Sequence, residues 1–118
     1  MMKPVACLGD SVFCAADTHI VSPLSPPVPF SVMGTIGPPC SIGVKALNIP
    51  IAREGDGGVH IACPGSNQFS ISSGSLTVFD CSSGANKKVA RVGDMTTHCG
   101  SPGTGYILTG CFTVLAED

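Results

Sequence analysis

Tryptophan is absent from this chain, tyrosine occurs once, and charge is scarce: Lys and Arg number 6 and Asp and Glu 8 among 118 residues. Six cations against a formal net charge of -2 leave no basic stripe to neutralise phosphates, which argues against nucleic acid and anionic membranes as partners. No stretch reaches the roughly 18 consecutive apolar residues of a membrane helix. The start of the chain, Met1 to Asp10, holds one Lys and no apolar core of a secretory signal. The expectation is a protein assembled in the cytoplasm without stable membrane anchoring, exported only by a machine that ignores signal peptides. The scarcity of charge does not mean disorder, because 43% of the residues are hydrophobic. Such a chain folds, and at this length it reads as one domain, residues 1–118.

The chain is rich in Gly (15) and Pro (10), about a fifth of it against a usual share of roughly 12%, so long helices are not expected. It holds seven Cys, an odd number that cannot pair completely within one chain. Without a signal peptide a disulfide scaffold also loses its oxidising compartment, and metal ligation or buried thiols fit better.

One pattern, A-x-x-G-D, occurs three times: Ala6-Cys7-Leu8-Gly9-Asp10, Ala52-Arg53-Glu54-Gly55-Asp56 and Ala90-Arg91-Val92-Gly93-Asp94. A second pattern lies between the marks. Ile71-Ser72-Ser73-Gly74-Ser75-Leu76-Thr77-Val78-Phe79 matches Ile107-Leu108-Thr109-Gly110-Cys111-Phe112-Thr113-Val114-Leu115, with a degraded third copy at Gly37-Pro38-Pro39-Cys40-Ser41-Ile42 whose Gly37 answers Gly74. Short segments of Val, Ile, Thr and Phe bounded by Gly, Pro, Asn and Ser predict strands joined by turns, hence an all-β chain. Gly-Asp at the end of each mark predicts a tight turn, Gly for positive φ and Asp to bind nearby backbone amides. Residues 22–39 are Pro-rich and predict an ordered extended loop, with Leu24, Val28 and Phe30 packed on the body.

Two histidines stand four positions after a repeated Asp, His60 after Asp56 and His98 after Asp94, and the residue at that offset from Asp10 is Cys14. Imidazole and thiolate are zinc ligands, so equivalent positions carrying Cys, His and His predict a metal site. The ligand pool is Cys14, His19, His60, Cys63, His98 and Cys99, enough to close a structural shell around one zinc that cross-links three converging turns. Cys7, Cys40, Cys81 and Cys111 are expected to pack. A Cys-His nucleophile would need an orienting group and an oxyanion site, and neither is signalled, so no enzyme is expected. The Gly-rich run 100–105 lacks the Lys-Ser/Thr of a phosphate loop.

These marks resemble those of the PAAR-repeat proteins, whose Pro-Ala-Ala-Arg element precedes Gly-Asp. Lys87-Lys88-Val89-Ala90-Arg91-Val92-Gly93-Asp94 is the clearest copy, Asn48 to Asp56 the second, and Pro4 to Asp10 a third without the Arg. Gly74 to Phe79 and Gly110 to Leu115 resemble the family's strand segment, so the likeness covers essentially the whole chain. The resemblance implies a cone-shaped domain of three pseudo-equivalent β repeats with zinc near the apex. It implies a cap on the trimeric VgrG spike of a type VI secretion system or contractile tail, one tip per trimer. Such a cap sharpens the spike for membrane puncture, with effector proteins as cargo and delivery outside the cell. Carried over, the family's ligands fall on His19, His60, Cys63 and His98, with Cys14 the rival of His19 and Cys99 the rival of Cys63. The chain ends after its last strand, so a toxin is expected as a separate chain. The alternative is a small zinc- or disulfide-stabilised adaptor for a secreted effector.

Overall fold

The computed structural model describes residues 2–19, 23–24, 26–38, 40–60, 67–82, 84–99 and 103–117. It is all-β, and no helix among the described residues is long and apolar enough to cross a membrane. Six strands close into an antiparallel barrel in the order β10-β11-β2-β3-β6-β7: β2 (Ser11–His19), β3 (Val28–Ile36), β6 (Gly57–His60), β7 (Gln68–Ile71), β10 (Met95–His98) and β11 (Thr104–Ile107). They form three hairpins, β2–β3, β6–β7 and β10–β11, each starting one residue after the Asp of an A-x-x-G-D mark.

The marks fold alike because the same local chemistry recurs. In each, the Asp carboxylate accepts from the backbone N–H three residues earlier: Cys7 to Asp10 at 2.7 Å, Arg53 to Asp56 at 2.8 Å and Arg91 to Asp94 at 2.7 Å. The intervening glycines Gly9, Gly55 and Gly93 have φ near +90°, a conformation that strains any side chain. At Gly9 a Cβ would meet nothing within 4 Å, so the backbone angle alone requires glycine there. The carbonyls of Ile36, Ile71 and Ile107 accept from these glycine N–H groups at 2.9 Å, locking each turn to the returning strand of its own hairpin.

The three marks bind one another in a closed ring. Ala6 N–H donates to the Ala90 carbonyl at 2.9 Å, Ala90 to Ala52 at 3.0 Å, and Ala52 to Ala6 at 2.8 Å. All three alanines are fully buried in one apolar cluster with Ile36, Ile71 and Ile107. Where three segments converge this closely only a methyl fits, which is why each mark begins with Ala.

Each mark is preceded in the chain by strands of a small two-stranded ladder. These are β1 (Lys3–Val5) with β12 (Cys111–Ala116), β4 (Lys45–Ala46) with β5 (Ile49–Pro50), and β8 (Phe79–Asp80) with β9 (Lys87–Lys88). The last strand therefore pairs with the first and completes the third ladder.

Three expectations are corrected. The Pro-rich stretch is strand from Val28 onward, and Leu24 is 97% exposed, so it does not pack on the body. Pro29 is accommodated near the far end of the long hairpin, opposite Thr18. The degraded repeat is offset: Ile36 is the counterpart of Ile71, and Ser41 N–H bonds to the Ile51 carbonyl as Ser75 does to that of Val89. Gly37 thus does not answer Gly74. Finally, Cys7 and Cys40 are buried but Cys81 is exposed, since it stands in the turn region between β8 and β9.

Candidate metal centre

The outgoing strands of the hairpins run from the marks at one end of the barrel to His19, His60 and His98 at the other. Cys14, His60 and His98, at the shared offset, are all buried. The thiol of Cys14 donates to the Thr104 carbonyl at 3.4 Å. His19 reaches the site by a different route. Cys14 pairs with Val32 and Asp17 with Phe30, so β2 carries one residue more than β3 between these pairs. This bulge resets the alternation of faces: Cys14 is buried, Ala15 and Ala16 are both exposed, and Asp17 is fully buried. Asp17 and His19, two apart, then share the inner face.

Asp17, His19 and Cys99 bring their donor atoms within 4.8 Å of one another. His19 Nε2 lies 3.1 Å from Asp17 Oδ2, and Cys99 Sγ lies 3.4 Å from each of these atoms. His60 Nε2 joins them, 3.7 Å from Cys99 Sγ and 3.8 Å from Asp17 Oδ2. With metal–ligand bonds of 2.0–2.3 Å, the edges of a tetrahedral shell measure about 3.3–3.8 Å, close to these separations. Asp17, His19 and Cys99 converge on a point, with His60 reaching Cys99 and Asp17 beside them, instead of forming a relay. The same nitrogen of His19 faces both the thiol and the carboxylate, whereas a Cys-His-Asp nucleophile needs the carboxylate on the opposite ring nitrogen.

The site also has the chemistry of a cation position. A fully buried carboxylate beside a thiol and two imidazole nitrogens is costly unless positive charge compensates it. Nδ1 of His60 is buried and has no hydrogen-bond partner among the described residues. Burial, together with the neighbouring His60, pushes the His98 imidazole down to about 4, which keeps that ring neutral.

Two of the four expected ligands, His19 and His60, thus come together with Cys99 and with Asp17. His98 adjoins His60, ring centroids 4.8 Å apart, and stacks on Phe69 at 5.3 Å. Its Nε2 is 2.9 Å from the Thr96 hydroxyl. Gly105 makes room for this ring, because a Cβ there would stand 2.8 Å from His98 Nε2. Cys63 lies outside the described residues. Sequence reading misses Asp17, although Asp-x-His on a strand, two positions with one face, could have signalled it. The sequence matches no protein-family model, and no curated protein matches it.

Proposed function

We propose that this chain is a metal-stabilised tip that seats, as a single copy, on a threefold-symmetric spike of the VgrG type, as its resemblance to the PAAR-repeat proteins implies. The observation that carries this reading is the closed Ala6, Ala52, Ala90 ring, which gives one chain three near-equivalent sides. A monomer of that kind matches a trimer without a symmetry penalty. The three ladders around the ring support it by presenting exposed apolar residues in turn: Leu47 and Ile49, Leu76 and Phe79, Phe112 and Leu115. An apolar cavity of about 160 Å³ is lined by residues of all three, among them Lys45, Phe79 and Leu115. Exposed apolar surface of this extent is characteristic of a binding face.

Zinc, held by Asp17, His19, His60 and Cys99, is the proposed ion. An Asp, two His and a thiolate fill four positions and leave none for a substrate water, so its role is to clamp the hairpins. The barrel would point this clamped end outward, away from the seat. Multi-angle light scattering of the chain mixed with a VgrG-like trimer tests the stoichiometry. The expected complex contains one 11.9 kDa chain per trimer, and a complex with three chains per trimer overturns the reading.

A further inference from the structure

The charged residues are distributed very unevenly over the fold. Of all Asp, Glu, Lys and Arg residues, only Asp17 lies in a barrel hairpin, and it is fully buried inside. From Thr18 to Val44, from Gly57 to Phe79 and from Met95 to Ala116 the sequence contains none. The outward positions of all six strands are therefore uncharged. Across four adjacent strands they form an apolar row, since Met33 pairs with Phe13, Phe13 with Tyr106, and Tyr106 with Met95. Met33, Tyr106 and Met95 are about half exposed, and the Phe13 and Tyr106 rings meet edge to face at 6.0 Å.

We infer that this barrel wall is a lipid-contacting surface that partitions reversibly into the interface of a zwitterionic phospholipid bilayer. Three features point to lipid. A protein interface is a bounded patch within a charged surface, whereas here outward charge is missing all the way round the barrel strands. The barrel is closed, so where it closes, at Val12, Gly34, Gly58 and Thr96 among others, the strands pair on both sides, which is the condition for backbone to enter an apolar medium. Asp17, His60 and His98 are buried inside with the apolar core, while Phe13, Met33, Met95 and Tyr106 face outward among uncharged Ser, Thr and Gln side chains, a surface of amphipathic aromatic and neutral groups suited to the interface and not to the hydrocarbon centre. Depth is limited by length: β6, β7, β10 and β11 have four residues each and cover about 13 Å, less than half of a hydrocarbon core of ~30 Å. The wall therefore sinks into the interface and does not span it. Because neither sign of charge is present, binding is set by apolar contact and not by anionic headgroups.

The proposal does not depend on a spike and is tested on the chain alone. The absence of tryptophan makes Tyr106→Trp a single reporter on the row. With neutral phosphatidylcholine vesicles the protein is expected to co-float, the indole emission to shift blue and to be quenched by brominated acyl chains, and binding to persist in high salt. Met33→Lys with Met95→Lys, both at exposed positions, is expected to lower the bound fraction about tenfold while circular dichroism and metal content stay unchanged. Wild-type protein that stays at the bottom of the gradient, an indole unmoved by vesicles, or binding confined to anionic vesicles at low salt each overturns the inference. An unmoved indole is also the result expected of a wall that docks protein.

Discussion

Arg53 and Arg91 are almost completely buried, and each spans the carboxylate of its own turn, Arg53 to Asp56 at 3.0 and 3.2 Å and Arg91 to Asp94 at 3.0 and 2.8 Å. Arg53 also approaches Asp80, at 3.5 Å, in the next ladder. Buried guanidinium groups of this kind are costly to place and more costly to remove. Arg53→Ala is expected to destabilise by about 3–5 kcal/mol because it strands two buried carboxylates, measurable by urea unfolding. The first mark has Cys7 where the others have Arg, and the second oxygen of Asp10 is met instead by the Thr109 hydroxyl at 3.0 Å. The first turn therefore closes without a buried guanidinium. The cysteines divide by burial, which pushes the thiols of Cys7 and Cys40 up to about 11. An ionised thiol is disfavoured in the fold but not in the unfolded chain, so this contribution to stability is intact below pH 9 and is lost as pH rises toward 11. In native protein at about pH 8, Cys81 is expected to react with iodoacetamide while Cys7 and Cys40 do not, as a peptide map of the alkylated protein would show. Alkylation of Cys7 or Cys40 ahead of Cys81 would contradict the assignment.

At the scale of elements, the bulge in β2 explains why part of the site was legible in the sequence and part was not. The offset of four from each Asp locates His60 and His98 as buried, equivalent positions, because their short strands alternate without interruption. The same offset in the first repeat leads to Cys14, and only the extra residue before Asp17 turns Asp17 and His19 inward. A bulge carries no fixed sequence signature, so pattern reading cannot place it. The turns were readable for the opposite reason: positive φ and an Asx-type hydrogen bond demand particular residues at particular places. The ladders were less readable, since β4, β5, β8 and β9 have two residues each, too few for any period to show. Two deletions separate the bulge from the ligands it positions. Deleting Ala16 restores regular alternation and leaves Asp17 and His19 on the inner face, so bound metal should be retained. Deleting Thr18 turns His19 outward, and metal should fall several-fold while the β signature in circular dichroism persists. Elemental analysis of both variants reads the difference, and equal metal content in the two would contradict this role for the bulge.

At the scale of the whole molecule, the three A-x-x-G-D marks of one chain meet in a single hydrogen-bonded ring. The alanine ring and the ladders lie at one end, and the ligand cluster lies at the other, where the outgoing strands finish. The ring tolerates little: Ala52→Leu is expected to destabilise by roughly 1–3 kcal/mol through overpacking, seen as a lower melting temperature. A metal held by the cluster would add a cross-link between hairpins that already meet through strand pairing, the alanine ring and the shared apolar cluster. The most direct test is zinc K-edge X-ray absorption, with elemental analysis, on protein purified without chelator and on Cys99→Ala. About one zinc per chain is expected, with one sulfur at about 2.3 Å and the remaining ligands nitrogen or oxygen at about 2.0–2.1 Å, and the sulfur shell should vanish in Cys99→Ala. Metal-free wild-type protein, or a sulfur shell that survives the substitution, would contradict a zinc clamp at this site.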